Sequence, residues 1–253
     1  MLFFACGGGG GSTPYSGLFY SDNQPDERID ANLAHYAAPS LNSTYTFLLF
    51  SDLHLGYESE TLLPYTQISA SISQEASAGH SVSFVATLGD QTEAGKLNQY
   101  QLYQTFITFI KSQTNNAPVY GVIGNHDLWN GGKTRWPVYV TPGTSFYNFS
   151  DNSINRSFYF LDSASGTLGT KQLNNFEQAL SSDSKRKFVF IHYPIIFTDG
   201  NTYFMLADPA EKLKLLYLTD EYTNEIKKYI INNWGNKYGN FFIRSDIIIE
   251  TLS

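Results

Sequence analysis

The period of apolar and polar positions changes several times along this chain, and each change marks an element. Thr44-Tyr45-Thr46-Phe47-Leu48-Leu49-Phe50 is an unbroken β-branched and aromatic run, the pattern of a buried strand. A more polar stretch from about Leu62 to Ala78 reads as a helix stopped by Gly79. Val82 to Leu88 predicts the next strand, which leaves the sheet at Gly89-Asp90. From Leu97 to Ile110 apolar residues fall at helical spacing (Leu102, Phe106, Phe109, Ile110), and Pro118 to Ile123 predicts a third strand, broken at Gly124. Phe146 to Leu161 predicts an antiparallel hairpin around a polar turn near Asp151 to Asn155. A helix over Leu168 to Leu180, a strand over Lys187 to Ile191 and a helix over Pro209 to Leu218 follow. Residues 1–42 are rich in Gly, Ser, Pro, Asn and Asp and show no sustained period. They predict a flexible tether, with order beginning at Tyr45 and one domain over 43–253. The β-α-β-α-β order predicts an α/β fold whose strands feed loops at their carboxyl ends.

Composition narrows the function classes. With 253 residues, 42% of them apolar, the chain can bury one full core. A net charge of -7 lacks the basic footprint of non-specific nucleic-acid binding, so no nucleic-acid surface is expected. It leaves room for a phosphate-bearing substrate, because bound divalent cations reverse the local field. The single cysteine, Cys6, excludes a disulfide framework and a thiolate zinc site.

The candidate chemistry sits at the strand ends. Asp52-Leu53-His54 follows the first strand, Gly89-Asp90 the second, Gly124-Asn125-His126-Asp127 the third and His192 the later one. Groups at the carboxyl ends of neighbouring strands converge on the crevice where ligands of open α/β sheets bind. In extended backbone, residues two apart point to one side, which predicts that Asp52 and His54 chelate one ion. Oxygen and imidazole donors without cysteine suit Mn, Fe, Zn or Mg. Of five histidines, His54, His126 and His192 fall directly after predicted strands, whereas His35 and His80 fall in the tether and a loop. A lone histidine is more often a satisfied polar residue than a ligand. The ordered set Asp-x-His, Gly-Asp, Gly-Asn-His-Asp, His is specific.

That set resembles the calcineurin-like metallophosphoesterase family, from about Tyr45 to Leu218. The resemblance implies a two-sheet β-sandwich flanked by helices and a hydrolase of phosphate mono- or diesters that uses two divalent ions to activate a hydroxide. It implies that Asp52 and His54 bind the first metal, that Asp90 bridges both, and that Asn125 and His192 bind the second. His126 would sit over the phosphate, with Asp127 hydrogen-bonded to it. Purple acid phosphatases carry a ligating tyrosine three residues after the Gly-Asp aspartate; here that residue is Glu93, so no purple iron–tyrosinate colour is expected.

The family pattern breaks in one place. Its closing Gly-His-x-His motif is missing, and no histidine follows His192. Three explanations compete: a truncated or frame-shifted carboxyl end, a non-catalytic relative, or late carboxylates such as Asp246 or Glu250 acting as substitute ligands. The first ranks highest, with 219–253 divergent, strands lost from the sandwich and a sheet edge left exposed. Each metal would lose one ligand.

At the other end, the apolar run into Ala5-Cys6, followed by Gly7 to Gly11, resembles the end of a bacterial lipoprotein signal. It implies an acylated Cys6 and a membrane-anchored protein of the cell envelope. The chain lacks a basic n-region and a complete apolar one, which a misplaced start codon explains; the alternative is a tail with a free thiol. Trp129, Trp136 and Tyr139 either line a substrate mouth or, as such residues more often do, pack their loop onto the sheet. Lys133 and Arg135 are candidate phosphate contacts.

Overall fold

The computed structural model describes residues 2–4, 28, 30–43, 45–57, 65–193 and 247–252. The predicted helix at Pro209 to Leu218, the lipidation candidate Cys6 and the carboxylate of Asp246 lie outside them.

Two sheets make the sandwich. The first is ordered β1 (Leu2–Phe4), β8 (Arg186–Ile191), β7 (Arg156–Phe160), β6 (Tyr147–Asp151), β2 (Ala34–Tyr36). The second is ordered β5 (Val119–Val122), β4 (Val82–Leu88), β3 (Tyr45–Phe50), β9 (Ile247–Leu252). β3, β4 and β5 run parallel, as do β7 and β8, while β6 and β7 form the antiparallel hairpin. Helices α1 (Tyr65–Ser77), α2 (Leu97–Gln113), α3 (Gly132–Tyr139) and α4 (Thr170–Ser182), with a 3-10 helix over His126–Gly131 before α3, complete the described elements.

Strand alternation divides the core. Phe47, Leu49, Phe84, Ala86, Leu88, Tyr120 and Val122 face inward from one sheet and meet Tyr147, Phe149, Phe158, Phe160, Phe188 and Phe190 from the other. Rings on neighbouring strands stack, as in Phe47–Phe84 at 4.8 Å and Phe160–Phe190 at 4.6 Å. Rings from opposite sheets meet edge to face, as in Phe84–Phe158 at 5.3 Å and 79°. The other face of the second sheet packs Leu48, Phe50, Val85 and Val119 against α1 and α2 through Ile68, Ile72, Phe106 and Ile110. Tyr159, Leu161, Val189 and Ile191 pack against α4 through Leu173, Phe176 and Leu180.

Three features depart from expectation. Order begins before Tyr45: β2 pairs with β6, His35 hydrogen-bonds Asn148 at 2.7 Å, Leu41 is buried and Arg28 pairs with Asp162. A three-residue edge strand has no period of its own, because its partner supplies the pattern. The apolar triplet 2–4, read as the end of an export signal, lies parallel to Val189–Ile191 at the edge of the first sheet. The β3 edge is covered, because β9 pairs antiparallel with the whole of Tyr45–Phe50. Glu250 stands opposite Phe47 in that ladder, three pairs back from the strand end that leads to Asp52, a register position removed from the ligand-bearing loops.

Candidate metal centre

The loops after β3 and β4 are laced together beyond the sheet. Asp52 N–H donates to the Gly89 carbonyl at 3.2 Å, His54 N–H to Asp90 at 2.9 Å, Leu55 N–H to Gln91 at 3.1 Å, and Glu93 N–H returns to Leu55 at 3.0 Å. Asp52, His54 and Asp90 have φ of 53°, 44° and 49°. The extended-strand explanation for Asp52 and His54 is therefore corrected: the backbone coils left-handed at both, and this brings them together. Each such residue costs on the order of 1–3 kcal/mol, a strain found where surrounding contacts over-determine a functional loop. Gly89 and Gly124 permit the close approach. A Cβ at Gly89 would strike the His192 ring, and one at Gly124 would strike Asp90.

Asp90 is the hub of the site. Its Oδ1 lies 3.5 Å from His192 Nε2 and accepts the His126 backbone N–H at 2.9 Å. Its Oδ2 lies 3.6 Å from His54 Nε2 and 4.0 Å from His126 Nε2. Asp52 Oδ1 is 3.8 Å from His54 Nε2 and, though buried, accepts no hydrogen bond. His192 donates Nδ1–H to the Leu88 carbonyl at 2.9 Å, so its Nε2 meets Asn125 Oδ1, 3.1 Å away, and Asp90 as a bare lone pair. Burial alone would raise Asp90, but His192, His126 and His54 outweigh it and hold the carboxyl below its ordinary value. Burial, with Asp90 adding to it, raises Asp52. Burial disfavours a charged His54 ring, yet Glu93, Asp90 and Asp52 outweigh it and push His54 up to about 9.

All five ligand candidates, Asp52, His54, Asp90, Asn125 and His192, thus converge. Their donor atoms fit divalent cations: a buried carboxylate oxygen with no hydrogen to accept, and oxygens and imidazole lone pairs facing one another. Asp52, Asp90 and His192 form one such cluster, and His54, Glu93 and His126 form another.

Asp127 departs from expectation. Its carboxylate accepts the backbone N–H of Gln91 (3.3 Å), Thr92 (2.9 Å) and Gly124 (3.0 Å) and the Thr92 hydroxyl (3.0 Å). It binds the β4 and β5 loops together, while His126 Nδ1–H donates instead to the Glu93 carbonyl at 2.6 Å. Sequence reasoning missed Glu93, whose carboxylate accepts from His54 Nδ1 at 2.8 Å.

The aromatics separate in the same way. Trp136 is buried and Tyr139 stacks on Tyr100, both as packing, but Trp129 lies against the His126 ring at 4.0 Å. Arg135 is spent on the Gly95 and Asn130 carbonyls.

The family model of the calcineurin-like phosphoesterases matches residues 45–234. The chain belongs to that family. Among solved structures it is similar to purple acid phosphatase PPD1 from yellow lupin (Lupinus luteus) seeds, at 16% identity and a TM-score of 0.45. The likeness covers 73% of this chain but 37% of the lupin protein, so the chain spans little over a third of that relative's length. Comparison with curated proteins gives no match. Family membership accounts for the sandwich of two sheets flanked by helices.

Proposed function

We propose that this protein is a metal-dependent phosphoesterase that hydrolyses phosphate mono- or diesters at a two-ion centre around Asp90. The observation that carries the reading is the convergence of imidazole nitrogens and carboxylate oxygens on Asp90, with Asp52 Oδ1 buried and accepting no hydrogen bond beside it. Asp52, His54 and Asp90 would hold one ion, and Asp90, Asn125 and His192 the other. Bound ions of this kind supply Lewis acidity toward phosphoryl oxygen and lower the pKa of water. A shared anionic carboxylate offsets repulsion between two cations, while the neutral carboxamide of Asn125 adds an oxygen without cancelling more positive charge.

His126 supplies the acid. Its Nδ1–H is held by the Glu93 carbonyl, which leaves Nε2 to carry the proton that the leaving alkoxide needs. Water forms the new P–O bond as the ester P–O bond breaks, the His126 proton passes to the departing oxygen, and the proton released by the water restores His126 through solvent. Trp129 against the ring limits its rotation.

The experiment is hydrolysis of p-nitrophenyl phosphate and bis(p-nitrophenyl) phosphate with Mn²⁺ added, alongside metal content by mass spectrometry. Turnover that chelator abolishes and Mn²⁺ restores is the expected result. Bound metal without turnover of either ester would support the second reading, a non-catalytic envelope protein on the same fold. Envelope attachment through Cys6 belongs to the proposal too, and radiolabelled palmitate incorporation lost in Cys6→Ala tests it.

A further inference from the structure

Glu93 touches both half-buried imidazoles with different atoms. Its carboxylate Oε2 lies 2.8 Å from His54 Nδ1, and its main-chain carbonyl lies 2.6 Å from His126 Nδ1. Neither oxygen has a hydrogen to donate, so each Nδ1 carries the proton and each Nε2 is left to the site. Both Nε2 atoms then face Asp90 Oδ2, at 3.6 and 4.0 Å, with the two rings edge to face at 4.6 Å. The Glu93 main chain is itself fixed by its N–H to the Leu55 carbonyl.

We propose that Glu93 is the positioning residue of the site, its carboxylate setting the tautomer of His54 for metal binding and its carbonyl setting that of His126. The inference rests on the two-ion reading above. A carboxylate behind a ligating histidine fixes ring orientation and raises its basicity, and losing such a partner typically costs about 10- to 100-fold in metal affinity. In this chain that gain bears on the ion held by Asp52, His54 and Asp90.

The test uses the full chain, with Glu93→Ala and Glu93→Gln. Mn²⁺ titration by calorimetry should show one ion bound about 10- to 100-fold more weakly in Glu93→Ala. Most of that loss should be recovered in Glu93→Gln, whose amide oxygen still accepts the His54 proton. Long-range ¹H–¹⁵N spectra of the Zn²⁺-loaded protein should lose the His54 Nδ1–H signal in Glu93→Ala and keep that of His126, because the carbonyl remains. A merely structural role would disturb both rings together or lower the melting temperature with no selective change. Equal Mn²⁺ affinity in Glu93→Ala and parent, or retention of both Nδ1–H signals, would overturn this inference alone. Failure of the parent chain to take up Mn²⁺ or Zn²⁺ would overturn the two-ion reading and this one with it.

Discussion

Asp52, Asn125 and His192 on one side of Asp90 differ from His54, Glu93 and His126 on the other in what their polar atoms have left to bond. On the first side every residue is buried, the His192 ring is anchored from behind by Leu88, and Asp52 Oδ1 accepts nothing. Donor atoms there face each other with no hydrogen between them, an arrangement that a cation stabilises and water cannot easily reach. The second side is more open: its groups are half-buried, both rings donate Nδ1–H to Glu93, and the Nε2 atoms face Asp90 Oδ2. On the reading proposed above, the closed half would help hold the cations, while the open half would supply both a ligand, His54, and a proton donor, His126.

Removing the residue common to both halves should have the largest effect. Asp90→Asn keeps the shape but removes the shared negative charge. It should leave at most one ion per chain by mass spectrometry and lower hydrolysis by more than the roughly 100-fold upper end of an outer-partner loss. A variant with two ions and parental turnover would dissolve the comparison. His126→Ala breaks the open half alone. Metal content should stay unchanged while kcat falls about 10²- to 10⁴-fold, the range of a lost general acid. The fall should be steeper for alkyl than for p-nitrophenyl esters, since a good leaving group needs little protonation. Equal losses on both ester types would remove His126 from proton transfer.

Much of the closed half was legible in the sequence. Val82–Leu88 forms β4 at its predicted bounds, and Asp90, Asn125 and His192 each follow a strand whose apolar run announced it. Strand ends are legible because a buried strand needs a continuous apolar run that stops where the chain leaves the sheet, marked by glycine after β4 and β5. The open half was less so. Glu93 acts through a side chain on one histidine and a main-chain carbonyl on another, and no spacing rule encodes a carbonyl. Asp127 looked like a partner for the histidine beside it, but local backbone turns it toward three amides of two loops. Helix α3 was hidden because Gly131, Gly132 and Pro137 read as breakers; tertiary packing of Trp136 overrides them. β2 has too few residues to show a period.

The pH dependence of metal binding sharpens the contrast at moderate scale. His54 lies among Asp52, Asp90 and Glu93 and, without metal, keeps its proton up to about 9 against an ordinary 6.5. That raised value gives the metal-free fold a stabilisation fully present below about 6.5 and lost as pH rises through about 9. Metal affinity has the opposite sign, because the ion displaces the proton. It should strengthen by up to about tenfold per pH unit toward 9 and then level off. Calorimetry in buffers of differing ionisation enthalpy reads the released proton directly. Release of no proton near pH 7, where His54 should give up close to one, would remove His54 from the ligand set.

The smallest expected effect isolates the wall of the open half. Trp129 lies against His126 at 4.0 Å and 33°, while its loop is held by other atoms: Asn130 Nδ2 donates to the Ala94 carbonyl, and Arg135 bonds Gly95. Trp129→Ala should therefore remove a ring and leave the loop in place. An aromatic pair of this kind contributes about 0.5–1.5 kcal/mol, which sets a fall in kcat/KM of roughly 2- to 12-fold. Trp129→Phe should restore part of it, with metal content unchanged throughout. If Trp129→Ala instead lowers the urea midpoint and leaves kcat/KM intact, the ring belongs to packing, as Trp136 and Tyr139 do. Among the described residues, His54 and His126 would then flank Asp90 on that side, and the proton transferred to the leaving group would depend on the Glu93 carbonyl for its direction.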